Sequence, residues 1–435
     1  MIKGKKVNRA TMRKMMFVAI FAIILAACEL FSPERSSWVA LVAVISSVII
    51  DRGLPICLYI CVDVMNIELP DSIQVALLLF VGLIAILILL KDNNKSPLFQ
   101  NLLQSLFFYG IIVVISFCVG VQCTIMYVIR SLYVFMIAFA IGFHFCGSRV
   151  KLLYFTFLSS GLAVMGIVMY QFYSGTMQLE FEVGTGRLTY GEQVRTLSNA
   201  LAFPVYYSFV EYLKAIEKGE YVKKVYWIGI VLLGIALILL TVSRGVIFAV
   251  GITLVFILLA RMKNVKNTTL IVTTLFVALI IYFVSTIQLN TEYMFNKIET
   301  FTGRDEIWDY YLGRVFHGSP LNFVFGYGPG DIKRLSVGTD FANAYEHSLF
   351  IGFFVSFGLI GFIYLLWVIY KIGKLLWDGN TKYDFGLFLL TMLLFVPFGT
   401  ALKPLFYYLL GLCLALSISE SLQQNRMSHE KQIKR

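Results

Sequence analysis

The sequence predicts an all-α fold, a polytopic helical integral membrane protein with about 12–14 transmembrane helices. Three observations support this. Of the 435 residues, 59% are hydrophobic and 14% are charged, and the mean hydropathy is +0.81; soluble domains are about 45–50% apolar and about 25% charged. Apolar runs of bilayer-spanning length cover most of the chain, and Lys and Arg are concentrated in alternate connections. A soluble enzyme, a disordered chain, a disulfide scaffold and an outer-membrane barrel are thereby excluded.

Charged or turn-forming residues bound each apolar run. The predicted spans are 15–31, 36–50, 53–67, 72–90, 102–120, 123–146, 151–173, 198–213, 225–241, 243–260, 268–288, 347–370, 384–401 and 404–420. The break at Asp51-Arg52-Gly53 is either a loop or a kink. Fourteen is therefore the best number of spans, and twelve or thirteen stay open. Residues 1–435 form one predicted transmembrane domain.

The distribution of Lys and Arg predicts the side that each connection faces. With a cytoplasmic N-terminus, 25 of the 36 Lys and Arg residues fall in the N-terminal segment, the inner connections or the tail 421–435. Both termini are therefore predicted to be cytoplasmic. The net charge of +11 follows from this orientation, with membrane lipids as partner, and it predicts no nucleic acid. The same topology places two longer loops, 174–197 and 289–346, outside the membrane.

The other eleven cations are mostly arginine, with eight Arg and three Lys. Orientation requires only positive charge, so arginine on the outer side indicates bidentate binding of phosphate or carboxylate. The seven cysteines lie in or beside predicted spans, and neither a disulfide framework nor a zinc site is predicted. No residues have the spacing of metal ligands, so no metal and no cofactor are predicted.

The segment from Thr241 to Gly245 interrupts two apolar runs at the outer face, with Arg244 between Ser243 and Gly245. One interpretation is a tight turn whose arginine extends to lipid headgroups. The other is a functional charge at the membrane boundary, because a turn needs no arginine and Gly245 permits close backbone approach.

The long loop 289–346 contains a predicted amphipathic helix over 304–316 that lies on the outer interface or caps a cavity. Its apolar side chains share one helical face: Ile307, Trp308, Tyr311, Leu312, Val315 and Phe316. Arg304 stands at its start, where the alternative to a binding role is a solvated ion pair with Asp305. The glycines and prolines of 317–331 predict turns that fold back on the membrane, and they lack the context of a nucleotide-binding motif.

His347 precedes an apolar run and is predicted to lie in the first turn of a helix on the outer side. The helix dipole and nearby arginines disfavour the imidazolium, so the ring would be neutral near pH 7 and able to act as a general base. The carboxylate of Glu346 would favour the charged imidazolium of His347, or it would orient the ring. The alternative is a capping histidine without chemistry. His144, His317 and His429 are less well placed.

An outward cavity with arginines and one neutral histidine suits attack by a substrate hydroxyl on an activated, phosphate-linked group. The arginines would neutralise a diphosphate leaving group, a role that a metal ion often takes. The histidine would accept the proton of the attacking hydroxyl.

The order of these motifs resembles the O-antigen polymerase and ligase superfamily. It comprises Ser243-Arg244-Gly245 at a helix start, a long outer loop with Gly303-Arg304 and Trp308, a Pro- and Gly-rich stretch, His347, and an apolar helix with Phe357-Gly358-Leu359-Ile360-Gly361. The resemblance covers roughly 240–365, and the rest of the chain matches in topology alone.

The resemblance implies a metal-independent glycosyltransferase with a GT-C-like, all-helical architecture and one long extracytoplasmic loop. It implies a bacterial inner (cytoplasmic) membrane enzyme whose donor and acceptor are undecaprenyl-diphosphate-linked oligosaccharides. Arg244 and Arg304 correspond to diphosphate-binding arginines, and His347 to the catalytic histidine. Further substrate-binding candidates are Arg187, Arg195, Arg314 and Glu346.

Three functions stay open. A polymerase would join lipid-linked repeat units at the outer face in the biosynthesis of O-antigen lipopolysaccharide or another surface polysaccharide. A ligase would transfer the finished glycan to the lipid A core; there the histidine is commonly followed by Asn, whereas Ser348 follows it here. A flippase or transporter for lipid-linked oligosaccharide would carry charges through the membrane core, where Arg130 and Asp63 are the candidates. Binding of a polysaccharide chain-length regulator also stays open.

Overall fold

In the part of the chain that the structure describes, nearly all residues lie in helices, which confirms the predicted all-α, polytopic membrane fold. The computed structural model describes residues 9–91, 97–121, 123–174, 179–180, 187–188, 194–241, 243–261, 304–330, 332–339, 348–377, 383–395, 405, 407–416 and 418. The predicted span 268–288 and the predicted tail 421–435 lie outside these residues.

The helices follow the apolar runs of the sequence. In the first half they are α1 (Arg9–Phe31), α2 (Pro33–Ser46), α3 (Leu54–Val64), α4 (Asp71–Lys91), α5 (Pro97–Val119), α6 (Ile125–His144) and α7 (Val150–Ser174). They continue with α8 (Val194–Glu217), α9 (Tyr221–Leu240), α10 (Arg244–Arg261), α11 (Arg304–Phe316), α12 (Pro320–Phe325), α13 (Leu349–Trp377), α14 (Tyr383–Phe395) and a shorter apolar helix, α15 (Tyr407–Leu416). Three 3-10 turns cover Ser47–Ile49, Gly147–Arg149 and Ile332–Leu335.

Six helices among the described residues are long and apolar enough to cross a membrane. They are Arg9–Phe31, Asp71–Lys91, Ile125–His144, Val150–Ser174, Tyr221–Leu240 and Leu349–Lys371, and the shorter apolar helices are Leu54–Val64, Gln104–Val119, Gly245–Leu258 and Tyr407–Leu416. A bilayer core about 30 Å thick takes about 20 helical residues. These helices therefore describe a multi-pass membrane protein.

Two connections differ in detail from the sequence prediction. α8 begins at Val194, four residues before the predicted span, because Leu197 and Ser198 are fully buried in the helix bundle although their sequence neighbours are polar. The short antiparallel strands Leu179–Glu180 and Arg187–Leu188 form a hairpin between α7 and α8. The predicted outer loop 174–197 thus contains a hairpin and the first turn of a helix.

The helices bury one large apolar core. α1 packs along α7, α7 along α8, α8 along α9, and α10 along α14. α7 and α8 approach each other closely at Gly161, where any Cβ would clash with the ring of Pro204. α13 packs against α5, and the Tyr364 and Ser105 hydroxyls hydrogen-bond at 2.8 Å within that contact. This packing fixes α13, which organises the candidate site described below.

Asp51 joins three elements at one end of the bundle. α2 and α3 pack against each other, so the break at 51–53 is a chain reversal and not a kink. The Asp51 carboxylate accepts hydrogen bonds from Lys14 and from the Gly53 amide (2.8 Å), and it lies 3.5 Å from Nε2 of His144. Partial burial opposes ionisation, but the bonds to His144, Lys14 and Gly53 outweigh it and hold the pKa of Asp51 well below its usual range.

Asp51→Asn is expected to lower the free energy of unfolding by about 1–3 kcal/mol, because it leaves Lys14 without its anion. Since the folded-state pKa is depressed, this contribution is present above the unfolded pKa of about 3.9 and is lost as pH falls through the lower folded value. Thermal unfolding in detergent at neutral and acidic pH measures it, with exposed Glu68→Gln as control. Equal stability of both variants at pH 7 would contradict this role of Asp51.

Candidate functional site

A second, small apolar cluster joins the end of the long loop to α13. The amphipathic helix α11 occupies the residues 304–316 where the sequence predicts it. Its Tyr311 and Val315 are fully buried against Tyr327, Ile332, Leu335 and Val355. Phe316, predicted on the same apolar face, is instead 60% exposed, because α11 ends there and the chain turns away. The cluster anchors α11 to the start of α13.

α13 is broken at Gly358, and the loop after α12 fills the break. Gly358 has φ 65° and ψ −163°, a conformation open to glycine. Just before this break, the carbonyls of Val355 and Ser356 accept hydrogen bonds from the amides of Tyr327 (2.8 Å) and Gly328 (2.9 Å). The backbones meet so closely that a Cβ on Gly326 or Gly358 would clash with the opposing chain.

Arg334 holds the same loop from its other side. Its guanidinium donates to the carbonyls of Tyr327 (2.9 Å), Gly328 (2.6 Å) and Pro329 (3.2 Å). The Val121 amide, in the connection between α5 and α6, also donates to Tyr327 O at 3.2 Å. The loop is thus fixed between α13 and the α5–α6 connection, in agreement with the predicted fold-back of 317–331 onto the membrane helices.

Gly358→Ala is expected to destabilise this docking by at least about 2 kcal/mol, because alanine is strained at positive φ and its methyl group meets the Val324 carbonyl. Limited proteolysis of the purified protein should then cut within 320–339 faster than in the wild type. Gly251→Ala, in open space on α10, is the matched control. Unchanged protection in Gly358→Ala would show that the break does not hold the loop.

A shallow cavity of about 460 Å³, widely open to the surroundings, lies beside the docked loop. It is lined by Asp309, Tyr310, Gly313, Arg314, His317, Gly318 and Tyr327. Asp309 and Tyr310 lie four positions before Gly313 and Arg314, and this spacing places the two pairs on one helical face. A Cβ on Gly318 would clash with the Tyr327 hydroxyl, so glycine is needed for the cavity wall. This volume lies in the range of ligand sites, about 300–1,000 Å³.

Hydrogen bonds orient the side chains of this cavity. Nε of Arg314 donates to the Tyr310 hydroxyl (3.1 Å), and the guanidinium carbon is 5.5 Å from the Tyr310 ring centroid. The Tyr327 hydroxyl donates to the Arg314 carbonyl at 2.6 Å. Burial raises the pKa of Tyr327, with the Arg314 charge opposing it, so the phenol stays protonated and can donate. Arg314 is therefore held both at its carbonyl and at its guanidinium, and the residue is exposed.

His317 and Asp309 add acid–base groups to the cavity. Nδ1 of His317 is 3.0 Å from the Gly313 carbonyl; a carbonyl can only accept, so Nδ1 donates this bond and Nε2 is the ring nitrogen left for a ligand. A guanidinium, aromatic faces and hydroxyl and carboxylate groups together suit a phosphorylated or glycosidic ligand. Within the described segments, no three His, Cys, Asp or Glu side chains cluster in a way that could hold a metal ion.

A comparison with known protein families gives a match over the region that contains this cavity. Residues 229–366 match the family model described as O-Antigen ligase. Over these residues the chain is similar to the O-antigen ligase family, in agreement with the resemblance to the O-antigen polymerase and ligase superfamily. A comparison of the chain with curated proteins found no match. The match spans the second part of α9, α10, the long loop and the first part of α13, and it includes the positions of Arg244, Arg304, Arg314 and His347.

The structure locates the backbone of the superfamily's two main arginine candidates. Arg244 is the first residue of α10, and the preceding Ser243 carbonyl accepts from the Ile247 amide at 3.0 Å. Arg304 is the first residue of α11. Both predicted diphosphate ligands thus stand at helix N-termini, where the helix dipole also favours an anion.

The other predicted site residues fall in several places. Arg187 is in the strand Arg187–Leu188, Arg195 is in the first turn of α8, and Arg314 lines the cavity. His347 and Glu346 lie outside the described residues. α13 begins at Leu349, and Oγ of Ser348 lies 3.4 Å from the Ile351 amide, as in an N-cap.

Sequence reasoning gave too little weight to His317 and missed Asp309, Tyr310 and Tyr327 as cavity residues. The polar spacing from Tyr310 through Gly313 and Arg314 to His317 was a usable signal, because it follows one helical face. The sequence prediction for this helix used only its apolar face. The contribution of Tyr327 depends on docking of the loop, which no local pattern indicates.

Proposed function

We propose that the protein is a polysaccharide polymerase of the bacterial inner membrane. It joins undecaprenyl-diphosphate-linked repeat units at the extracytoplasmic face, with both termini in the cytoplasm. Support comes from the superfamily match over 229–366, the apolar spanning helices, and the Lys and Arg distribution along the sequence.

The observation that carries the choice of a polymerase is the separation of two arginines on α11. Arg304 and Arg314 are ten residues apart on one helix, about 15 Å along its axis. Arg314 has a cavity of its own, with a hydroxyl that orients its guanidinium. Two separate cationic sites suit an enzyme with two lipid-diphosphate substrates, one the donor and one the acceptor.

In the proposed reaction, an acceptor sugar hydroxyl attacks the anomeric carbon of the donor glycan. A new carbon–oxygen bond forms, and the bond from the anomeric carbon to the diphosphate oxygen breaks. The leaving undecaprenyl diphosphate keeps the electron pair, and Arg244 and Arg304 stabilise its charge. His347 accepts the hydroxyl proton as general base. Arg314 binds the second substrate, with Arg187, Arg195 and Glu346 as further contacts.

The residue after the histidine does not separate polymerase from ligase in this chain. Ser348 takes the N-cap position of α13, and Ser and Asn are about equally favoured there. Ser in place of Asn therefore reflects the capping of a helix, and the separation of Arg304 from Arg314 supports a polymerase better.

A deletion strain tests the proposal by the glycan it makes. A polymerase mutant should carry a single repeat unit on its acceptor core. Free lipid-linked polymer with a bare core would identify a ligase instead, and repeat units trapped on the cytoplasmic face would identify a transporter.

Arg314→Ala is expected to reduce polymer formation about ten- to hundredfold, because charge-assisted hydrogen bonds contribute about 1.5–3 kcal/mol. Arg314→Lys should restore activity in part, since it keeps the charge and loses the planar fork. Polymer on a glycan gel is the measure, and Glu306→Gln, exposed on the same helix, is the control. A wild-type amount of polymer from Arg314→Ala would contradict the proposal that Arg314 binds the second substrate.

A further inference from the structure

A cationic cavity lies far along the chain from the superfamily region. It measures about 390 Å³ and is lined by Val48, Arg52, Ile84, Leu87, Leu90 and Lys91. Arg52 comes from the reversal between α2 and α3, and Lys91 is the last residue of α4. Both side chains are exposed. Two cations that are 39 positions apart in sequence thus face one cavity with apolar walls.

The charge of this cavity is not cancelled by its neighbouring acid. Asp51 precedes Arg52, but its carboxylate is bound by Lys14 and the Gly53 amide and lies beside His144. Within the described residues, the ion pairs include neither Arg52 nor Lys91. The partial negative charge at the C-terminus of α4 is offset by Lys91 itself. Among the described residues, the two cations Arg52 and Lys91 therefore give the site a net positive charge.

The surface around the cavity is apolar and faces outward from the bundle. Ile49 is 86% exposed and Leu90 is 68% exposed. Exposed side chains of this kind on a membrane protein face acyl chains. The cavity thus lies where a cationic end meets a lipid-facing wall. A soluble anion needs only the cations, whereas a lipid also uses the apolar wall formed by Ile84, Leu87 and Leu90.

We propose that this cavity binds an anionic phospholipid, with its phosphate between Arg52 and Lys91 and its acyl chains along α4. In the proposed topology both cations face the cytoplasmic leaflet, where anionic headgroups attract basic side chains. The site lies outside 229–366 and takes a lipid that is not a substrate. It would hold the reversal between α2 and α3 against α4 in the membrane.

Native mass spectrometry of the full-length, detergent-purified protein tests the proposal. Phosphatidylglycerol is titrated against phosphatidylethanolamine with the same acyl chains. The double variant Arg52→Ala/Lys91→Ala should lose about tenfold or more in phosphatidylglycerol affinity, at about 1 kcal/mol for each cation. Arg52→Lys/Lys91→Arg should keep most of it. The matched control Lys218→Ala/Lys224→Ala removes two cations near the α8–α9 connection and should bind like the wild type.

Three results would overturn the proposal. An equal loss of phosphatidylglycerol affinity in Arg52→Ala/Lys91→Ala and in Lys218→Ala/Lys224→Ala would indicate diffuse electrostatic attraction without a specific site. Equal binding of the two lipids by the wild type would exclude selection of the anionic headgroup. Binding of inorganic phosphate that requires Arg52 and Lys91, without lipid selectivity, would indicate a soluble anion. Thermal unfolding of each variant checks its fold, and Arg52→Lys/Lys91→Arg keeps the test valid if the alanine variant unfolds.

Discussion

His347→Ala is expected to leave the protein inserted in the membrane and to abolish polymer on a glycan gel. In the proposed reaction His347 removes the proton from the attacking hydroxyl, and a positioned general base contributes about 10²–10⁴-fold to a rate. Chain growth repeats the reaction for every unit, so a loss of this size per step leaves at most very short products. Membrane insertion is measured by the amount of full-length protein in the membrane fraction.

Two other histidines sharpen this experiment. His429→Ala, in the predicted cytoplasmic tail, is the control and should make wild-type polymer. His317→Ala addresses the cavity on α11, where Nδ1 donates to the Gly313 carbonyl and Nε2 is left for a ligand. Full-length polymer in His347→Ala together with loss in His317→Ala would assign the general base to His317 and contradict the role of His347.

Arg244→Ala is expected to lower the rate of polymerisation by about 10²–10³-fold. It removes a guanidinium from the N-terminus of α10, where it would neutralise charge that develops on the leaving diphosphate; loss of one such donor commonly has an effect of this size. Arg244→Lys should recover part of the rate, because it keeps the charge without bidentate geometry. Initial rates with purified protein measure both.

The other end of the same helix supplies the control. α10 begins at Arg244 and ends at Arg261, so Arg261→Ala removes the same side chain at the opposite end of the helix. It should polymerise at the wild-type rate. A similar loss in both variants would mean that arginine serves the stability or insertion of α10, and the diphosphate role would fail.

The spanning helices were predictable from sequence because a bilayer imposes length and apolarity on each element locally. α4, α7 and α13 follow their apolar runs to within a few residues, apart from the extension of α13 to Trp377. α8 started earlier than its apolar run, because burial of Leu197 and Ser198 depends on neighbouring helices. The presence of each helix could therefore be predicted from its own residues, whereas the residue at which a helix begins or ends depended on packing against other helices.

The site was predictable in its parts and not in its assembly. The sequence indicated the amphipathic helix over 304–316 and placed Arg244 at a helix start, as found. It gave no sign that Gly358 would break α13 and receive the loop at Gly326, since this needs contacts between residues 32 positions apart. The cavity around Arg314 exists because of that docking. The role of His347 stays a prediction.

The most direct test of the polymerase proposal uses purified protein and one substrate class. Wild-type protein in lipid vesicles receives undecaprenyl-diphosphate-linked repeat units alone, without lipid A core. The proposal predicts a ladder of lipid-linked products that grow by one repeat unit, with release of undecaprenyl diphosphate at each step. No ladder with this substrate, together with glycan transfer once lipid A core is added, would contradict it and identify a ligase.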